Sequence, residues 1–167
     1  MTAYLDRKET SMINNSTLLR RESVGLRRYT DALAPYAVTV LRVLVGLIFL
    51  LTGLPKLQNF AGFTGFVGSL GFPVPVVFAA IVVALEVIGG LLLIVGLGTR
   101  WVSALYMVEM LVTTLLVKMP NLGFIAPQGK PGVGAELDLL LLAGAFILLT
   151  HGSSRLSIEH DVLKREL

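Results

Sequence analysis

Seven ionisable side chains lie within or at the ends of strongly apolar stretches. Arg42, Glu86, Glu109, Glu136 and Asp138 are inside them, and Lys56 and Lys118 lie toward one end. A charge in the middle of a lipid-spanning helix costs about 2.5–3.5 kcal/mol on insertion scales, so each must be paired, neutralised or used. By helical rise from the more basic end of its stretch, Arg42 is about 9 Å deep, Glu109 about 12 Å and Glu86 about 16 Å. Asp138 follows at about 18 Å, Glu136 at about 21 Å, Lys118 at about 25 Å and Lys56 at about 30 Å, the far interface. Two layers are expected. Arg42 is level with Glu109 and within reach of Glu86, while Lys56 and Lys118 can reach Glu136. Glu136 and Asp138 are about 200° apart on a helix and cannot both face one neighbour.

Four acids against one buried Arg and two outer Lys leave at least one carboxyl to be protonated, or matched by a ligand or partner. Three chemistries suit such a cluster. It can be an ion-pair and hydrogen-bond network that fixes helix register. It can be a polar site for a quinone or small hydroxylated ligand, with Glu86 or Glu109 as hydrogen-bond partner or proton acceptor and Arg42 stabilising a reduced oxygen. It can also be a proton or ion path, although the acids form no evenly spaced ladder. Other chemistry is excluded. The chain has no Cys, hence no disulfide, thiolate-ligated cluster or Cys-rich zinc site. His151 follows the last apolar stretch and His160 lies in the tail, so no pair of His can hold a haem within the membrane. No Walker loop, nucleophile elbow or zinc motif is present. No metal site and no covalent or Cys/His-held cofactor is expected, so any electron carrier belongs to a partner or is a diffusible quinone.

The elements that position these residues follow from hydropathy. Residues of the apolar set make up 54% of the 167, and charged residues 15%. A water-soluble fold of this size cannot hide that much apolar surface. Four stretches approach the roughly 17–25 residues that cross a bilayer: 36–54, 74–97, 101–119 and 134–150. None alternates like a barrel strand, and only helices otherwise satisfy their backbone in lipid. Short connections then predict an all-α membrane protein, an antiparallel bundle of four transmembrane helices over residues 36–150. Gly46 and Gly53 on the first stretch, Gly89 and Gly90 on the second and Gly144 on the fourth read as close-packing positions. Trp101 and Tyr36 read as interface anchors.

Basic residues set the orientation. Arg7, Lys8, Arg20, Arg21, Arg27 and Arg28 precede the first stretch, Arg100 joins the second to the third, and Arg155, Lys164 and Arg165 follow the fourth. These ten stand against Lys56, Lys118 and Lys130 on the other side, which places both termini in the cytoplasm. The net charge of +3 is accounted for by this placement, and no nucleic-acid partner is expected. Residues 1–35 read as a mobile, polar, basic cytoplasmic tail whose Arg pairs can touch anionic lipid. Residues 151–167 read as a cytoplasmic C-terminal tail. A cleaved signal peptide is not expected, because the first apolar stretch starts late and lacks a small-residue cleavage site. Between the first two stretches Phe60, Phe63 and Phe66 interleave with Gly62, Gly65 and Gly68. A short helix there would show a Phe ridge beside a Gly stripe, either packed on the helix ends or serving as a lid or docking surface.

The order of several motifs resembles the DoxX-type four-helix membrane proteins of bacteria and archaea. The first stretch carries Leu41-Arg42-Val43-Leu44-Val45-Gly46 and then Gly53-Leu54-Pro55-Lys56-Leu57. The second carries Leu70-Gly71-Phe72-Pro73, Ala84-Leu85-Glu86-Val87-Ile88-Gly89-Gly90 and Gly96-Leu97-Gly98-Thr99-Arg100. Gly134-Ala135-Glu136-Leu137 and Ser154-Arg155-Leu156-Ser157-Ile158 complete a match over about residues 37–160. Glu109 and the residues before Ala37 depart from the pattern. The resemblance implies that Arg42, Lys56, Glu86 and Glu136 belong to the family's polar pattern. It also implies a multi-pass protein of the prokaryotic plasma membrane. Its expected function is that of a membrane subunit of a quinone-linked oxidoreductase or oxidative-stress complex, without a redox centre of its own and not catalytic alone. Other protein subunits are then expected partners, and a homo-oligomer stays open. The alternatives are a small proton-coupled transporter and a purely structural subunit of a larger complex.

Overall fold

The computed structural model describes residues 2–127, 132–153 and 156–159, with side chains from residue 30 onward. Lys130, Arg155, His160, Lys164 and Arg165, and the side chains of the six basic residues before residue 30, lie outside what is described. Among the described residues the chain is helical, with no strand. It falls into two units, Met1–Pro35 and Tyr36–Leu167. The first unit, expected as a mobile tail, is helical from residue 2 and forms the first part of α1 (Thr2–Gln58). Its Leu, Arg, Glu, Lys and Met content suits a helix, and no proline interrupts it before Pro35.

Within the second unit α1 continues to Gln58. Pro55 lies just past the end of the 36–54 stretch, yet the helix passes through it. Proline withholds only its own N–H, and the next turn closes when Asn59 N–H donates to Pro55 O at 3.0 Å. Lys56 is thereby held on the helix. Asn59 then caps α2 (Phe60–Ser69), its side chain accepting from Gly62 N at 3.2 Å, so the Phe–Gly segment is a short helix. Next come α3 (Pro75–Ala84), a π-helical turn (Leu85–Gly89) and α4 (Gly90–Val95), which together form one apolar run. After the Gly96–Gly98 turn, α5 (Thr99–Thr113) leads into a second π-helical turn (Thr114–Lys118) and the short α6 (Met119–Asn121). The last helix, α7, spans Ala135–His151.

Three runs are long and apolar enough to cross a membrane: Thr30–Gln58, Pro75–Val95 and Thr99–Asn121. The fourth expected stretch lies over α7, whose 17 residues are at the short end of what crosses a membrane. The buried core gathers Val45 and Phe49 of α1, Leu93 of α4, Val102, Tyr106 and Met110 of α5, and Leu141, Ala145 and Leu148 of α7. Phe49 and Tyr106 stack flat, ring centroids 3.5 Å apart. Two glycines allow α1 and α4 to touch backbone to backbone. A Cβ on Gly46 would lie 2.7 Å from Gly90 O, and one on Gly90 would lie 2.7 Å from Gly46 O. α2 packs on α3, and α5 packs along α7.

Candidate functional site

The π-helical turn at Leu85–Gly89 carries the centre of the polar cluster. A π turn inserts one extra residue into a helix and turns its side chains out of the regular register. Leu85 O here accepts a hydrogen bond from the Tyr106 hydroxyl at 3.1 Å. Glu86, 4% exposed in its side chain, forms an ion pair with Lys56 of α1, which is 30% exposed. Gly53 makes this pairing possible, because a Cβ there would lie 2.8 Å from Glu86 Cβ. Lys56 also lies over the Phe63 ring of α2, 5.2 Å from its centroid. The same ammonium thus meets a carboxylate on one side and an aromatic face on the other.

Beside this pair lies a cavity of about 150 Å³. Its polar lining comes from four helical runs: Thr52 and Lys56, Glu86, Thr113 and Lys118, and Asp138. Asp138 Oδ2 accepts from the Thr113 hydroxyl at 2.8 Å, which ties α7 to α5. Lys118 donates to Val133 O at 2.7 Å. Glu109, 7% exposed, does not line the cavity; its carboxyl lies beside that of Glu86, within the electrostatic reach of Lys56 and Asp138. Glu86 Oε2 and both Glu109 carboxyl oxygens are buried with no donor in hydrogen-bonding position. Among the described residues no group of three or more His, Cys, Asp or Glu is arranged to hold a metal ion.

Of the expected residues, Lys56, Glu86, Lys118 and Asp138 therefore meet at the cavity, and Glu109 adjoins it. Arg42 does not line it. Arg42 is fully buried at the far end of α4, where it packs against Gly96 and Ser157 and donates to Leu156 O at 2.7 Å. Gly96 is ten residues beyond Glu86, about 15 Å along a helix, so Arg42 sits in a different layer from the acids it was expected to meet. Glu136 is at the first turn of α7, half-buried, its Oε2 against Gly134. Asp138 faces the cavity and Glu136 does not, in keeping with their angular separation. Residues not singled out from sequence include Thr113 and Tyr106, polar groups inside the third span, and Glu159. Glu159 is 1% exposed; its Oε1 accepts from Gly98 N at 2.5 Å and its own N–H donates to Gly96 O at 3.3 Å.

Comparison with known proteins gives these residues a setting. Residues 37–119 match the DoxX family model. The "Putative oxidoreductase CatD" of Bacillus subtilis (strain 168) is 35% identical over 127 residues, covering 75% of this chain and 86% of that protein. An "Uncharacterized membrane protein" of Mycobacterium tuberculosis (strain ATCC 25618 / H37Rv) is 32% identical over 145 residues, 83% of this chain and 88% of its own. The "Inner membrane protein YphA" of Escherichia coli (strain K12) is 35% identical over 91 residues, 53% of this chain and 65% of that one. No solved structure matches. With three runs apolar enough to cross a bilayer and relatives matched over most of their length, the chain is a membrane protein and belongs to the DoxX family.

Proposed function

We propose that this protein is the membrane subunit of a quinone-linked oxidoreductase, contacting the quinone while a partner supplies any further redox centre. The observation that carries the reading is the cavity beside the Lys56–Glu86 pair. Its volume of about 150 Å³ equals that of an engineered cavity that accepts a single benzene ring. Apolar walls from Ile48, Phe49, Met110 and Leu141 suit the flat face of a ring. Lys56 offers a donor for a ring oxygen, and Glu86 and Asp138 offer carboxyls that can hold or give up a proton beside it. A bound quinone supplies the electron-accepting chemistry; this chain binds and orients the ring and manages protons at Glu86 Oε2. The name of the Bacillus subtilis relative supports an oxidoreductase setting.

The same reading takes α7 as a fourth span, the bundle as antiparallel and both termini as cytoplasmic. The residence is the inner membrane, in line with the name of the Escherichia coli relative. The test is Glu86→Gln in the complex purified from native membranes. Quinone-linked turnover is expected to disappear while recovery of the complex stays at the wild-type level. Normal turnover in that variant rejects the assignment.

A further inference from the structure

α5 carries polar side chains well beyond the cavity. Thr99, Ser103, Tyr106 and Glu109 fall on one side of the helix, and Thr114 follows at the start of the π turn. All are buried: Thr99, Ser103 and Tyr106 are 0% exposed, and Glu109 and Thr114 are 7% exposed. Hydroxyls inside helices ordinarily bond back to a carbonyl of the preceding turn. Thr52 and Thr150 do so, donating to Phe49 O and Phe146 O, each at 3.0 Å. Thr99, Ser103 and Thr114 do not, and their hydroxyl oxygens are without any hydrogen-bond partner, while the Glu109 carboxyl has the Glu86 carboxyl beside it. A buried hydroxyl left unmade costs about 1–3 kcal/mol, and three such groups along one helical run call for a shared partner. Water bridging buried polar groups is the species that meets this need.

Both ends of the line are acidic. At one end Glu159 is buried against Gly98 N, one residue from Thr99. At the other, the Glu109 carboxyl lies beside that of Glu86, within the electrostatic reach of Lys56, Asp138 and Tyr106. Arg42 flanks Glu159's end through Gly96 and Leu156. From Thr99 to Glu109 the rise is about 15 Å, a span of a few hydrogen-bonded waters interleaved with hydroxyls.

We propose that a file of ordered water runs along this face of α5 and carries protons between Glu159 and Glu109. The route delivers protons to the cavity from the Gly98 end of the bundle. As a supply line for a quinone site it rests on the function proposed above; as a hydrated path it stands without it.

The experiment uses the full-length chain in lipid bilayers with no quinone added. Radiolytic hydroxyl labelling reports water in contact with a side chain, and Tyr36, 42% exposed, is the same-residue reference for Tyr106, 0% exposed. Tyr106 is expected to label at a rate comparable to Tyr36, and failure to label overturns the water file. Infrared spectroscopy after a jump into D2O then follows the carboxylic C=O band that Glu109→Gln removes. Thr99→Val, which keeps the shape of the side chain, is expected to slow its exchange by about tenfold, and Thr99→Ser to restore it. Absence of a Glu109 band, or exchange in Thr99→Val at the native rate, overturns the proton route. Neither readout depends on turnover, so loss of the quinone reading leaves both outcomes interpretable.

Discussion

Lys56 and Glu86 show how one side chain can hold a site together. Replacing Lys56 by Met leaves Glu86, nearly fully buried, without its counter-charge. Breaking a buried pair costs about 3–5 kcal/mol, lowered here to about 2–3 kcal/mol because Lys56 is 30% exposed. The variant is expected to unfold at markedly lower temperature in detergent, and adding Glu86→Gln is expected to recover most of the loss. A melting temperature unchanged by Lys56→Met would show the pair to be dispensable for stability. The members of this group were legible in the sequence, because a charge in an apolar run demands an account. Their pairing was legible only in part. Linear depth gives the height of a residue but not the direction of its side chain, so Arg42 and Glu109 were placed together at similar depth. In the structure, Arg42 instead reaches the Gly96 turn and residues 156–157. Glu159 was invisible for a related reason. It stands in a polar tail, and nothing in its neighbours marks it as buried.

At the level of elements, the reciprocal contact of Gly46 and Gly90 fixes how α1 meets α4. A methyl group at either position would press on a carbonyl oxygen of the other helix, which cannot retreat without moving its whole segment. Gly46→Ala and Gly90→Ala are each expected to lower stability by about 1–3 kcal/mol. Gly65→Ala on α2, where a Cβ meets nothing within 4 Å, should change it by less than about 0.5 kcal/mol. Thermal unfolding of the three variants side by side checks the contrast. Glu159→Ala should cost about 1–2 kcal/mol by leaving Gly98 N–H without its acceptor, and Glu159→Gln should cost less because an oxygen remains. Glycine spacing and apolar length made the helices and the Gly96–Gly98 turn readable. The π turns were not, since an extra residue in a helix leaves hydropathy unchanged. The second of them precedes Pro120, whose missing N–H could not serve Leu116 O in any case. The passage of α1 through Pro55 was likewise hidden, because proline marks a probable boundary and local packing decides the outcome.

For the molecule as a whole, the backbone bond from Glu159 N–H to Gly96 O places residues 156–159 at the same end as the start of α5, which bears Arg100. The distribution of Lys and Arg then predicts which side of the membrane that end occupies. Reporter fusions at residue 167 and at the Gly71–Pro73 loop are expected to report opposite compartments, the first cytoplasmic; the reverse pattern would overturn the orientation. The short last helix adds a dependence on the lipid itself. Seventeen residues give α7 a length of about 26 Å, against a hydrocarbon core of about 30 Å. On the proposed reading, in which α7 is a fourth span, it must draw the two leaflets together around it, while the longer runs are content in a thicker film. Because Asp138 rides on α7 and is tethered to Thr113, lengthening the acyl chains pulls directly on the cavity wall. Membrane thickness thereby becomes a variable of the site: the protein should be most stable in short-chain bilayers and lose the Thr113–Asp138 bond first as the chains grow.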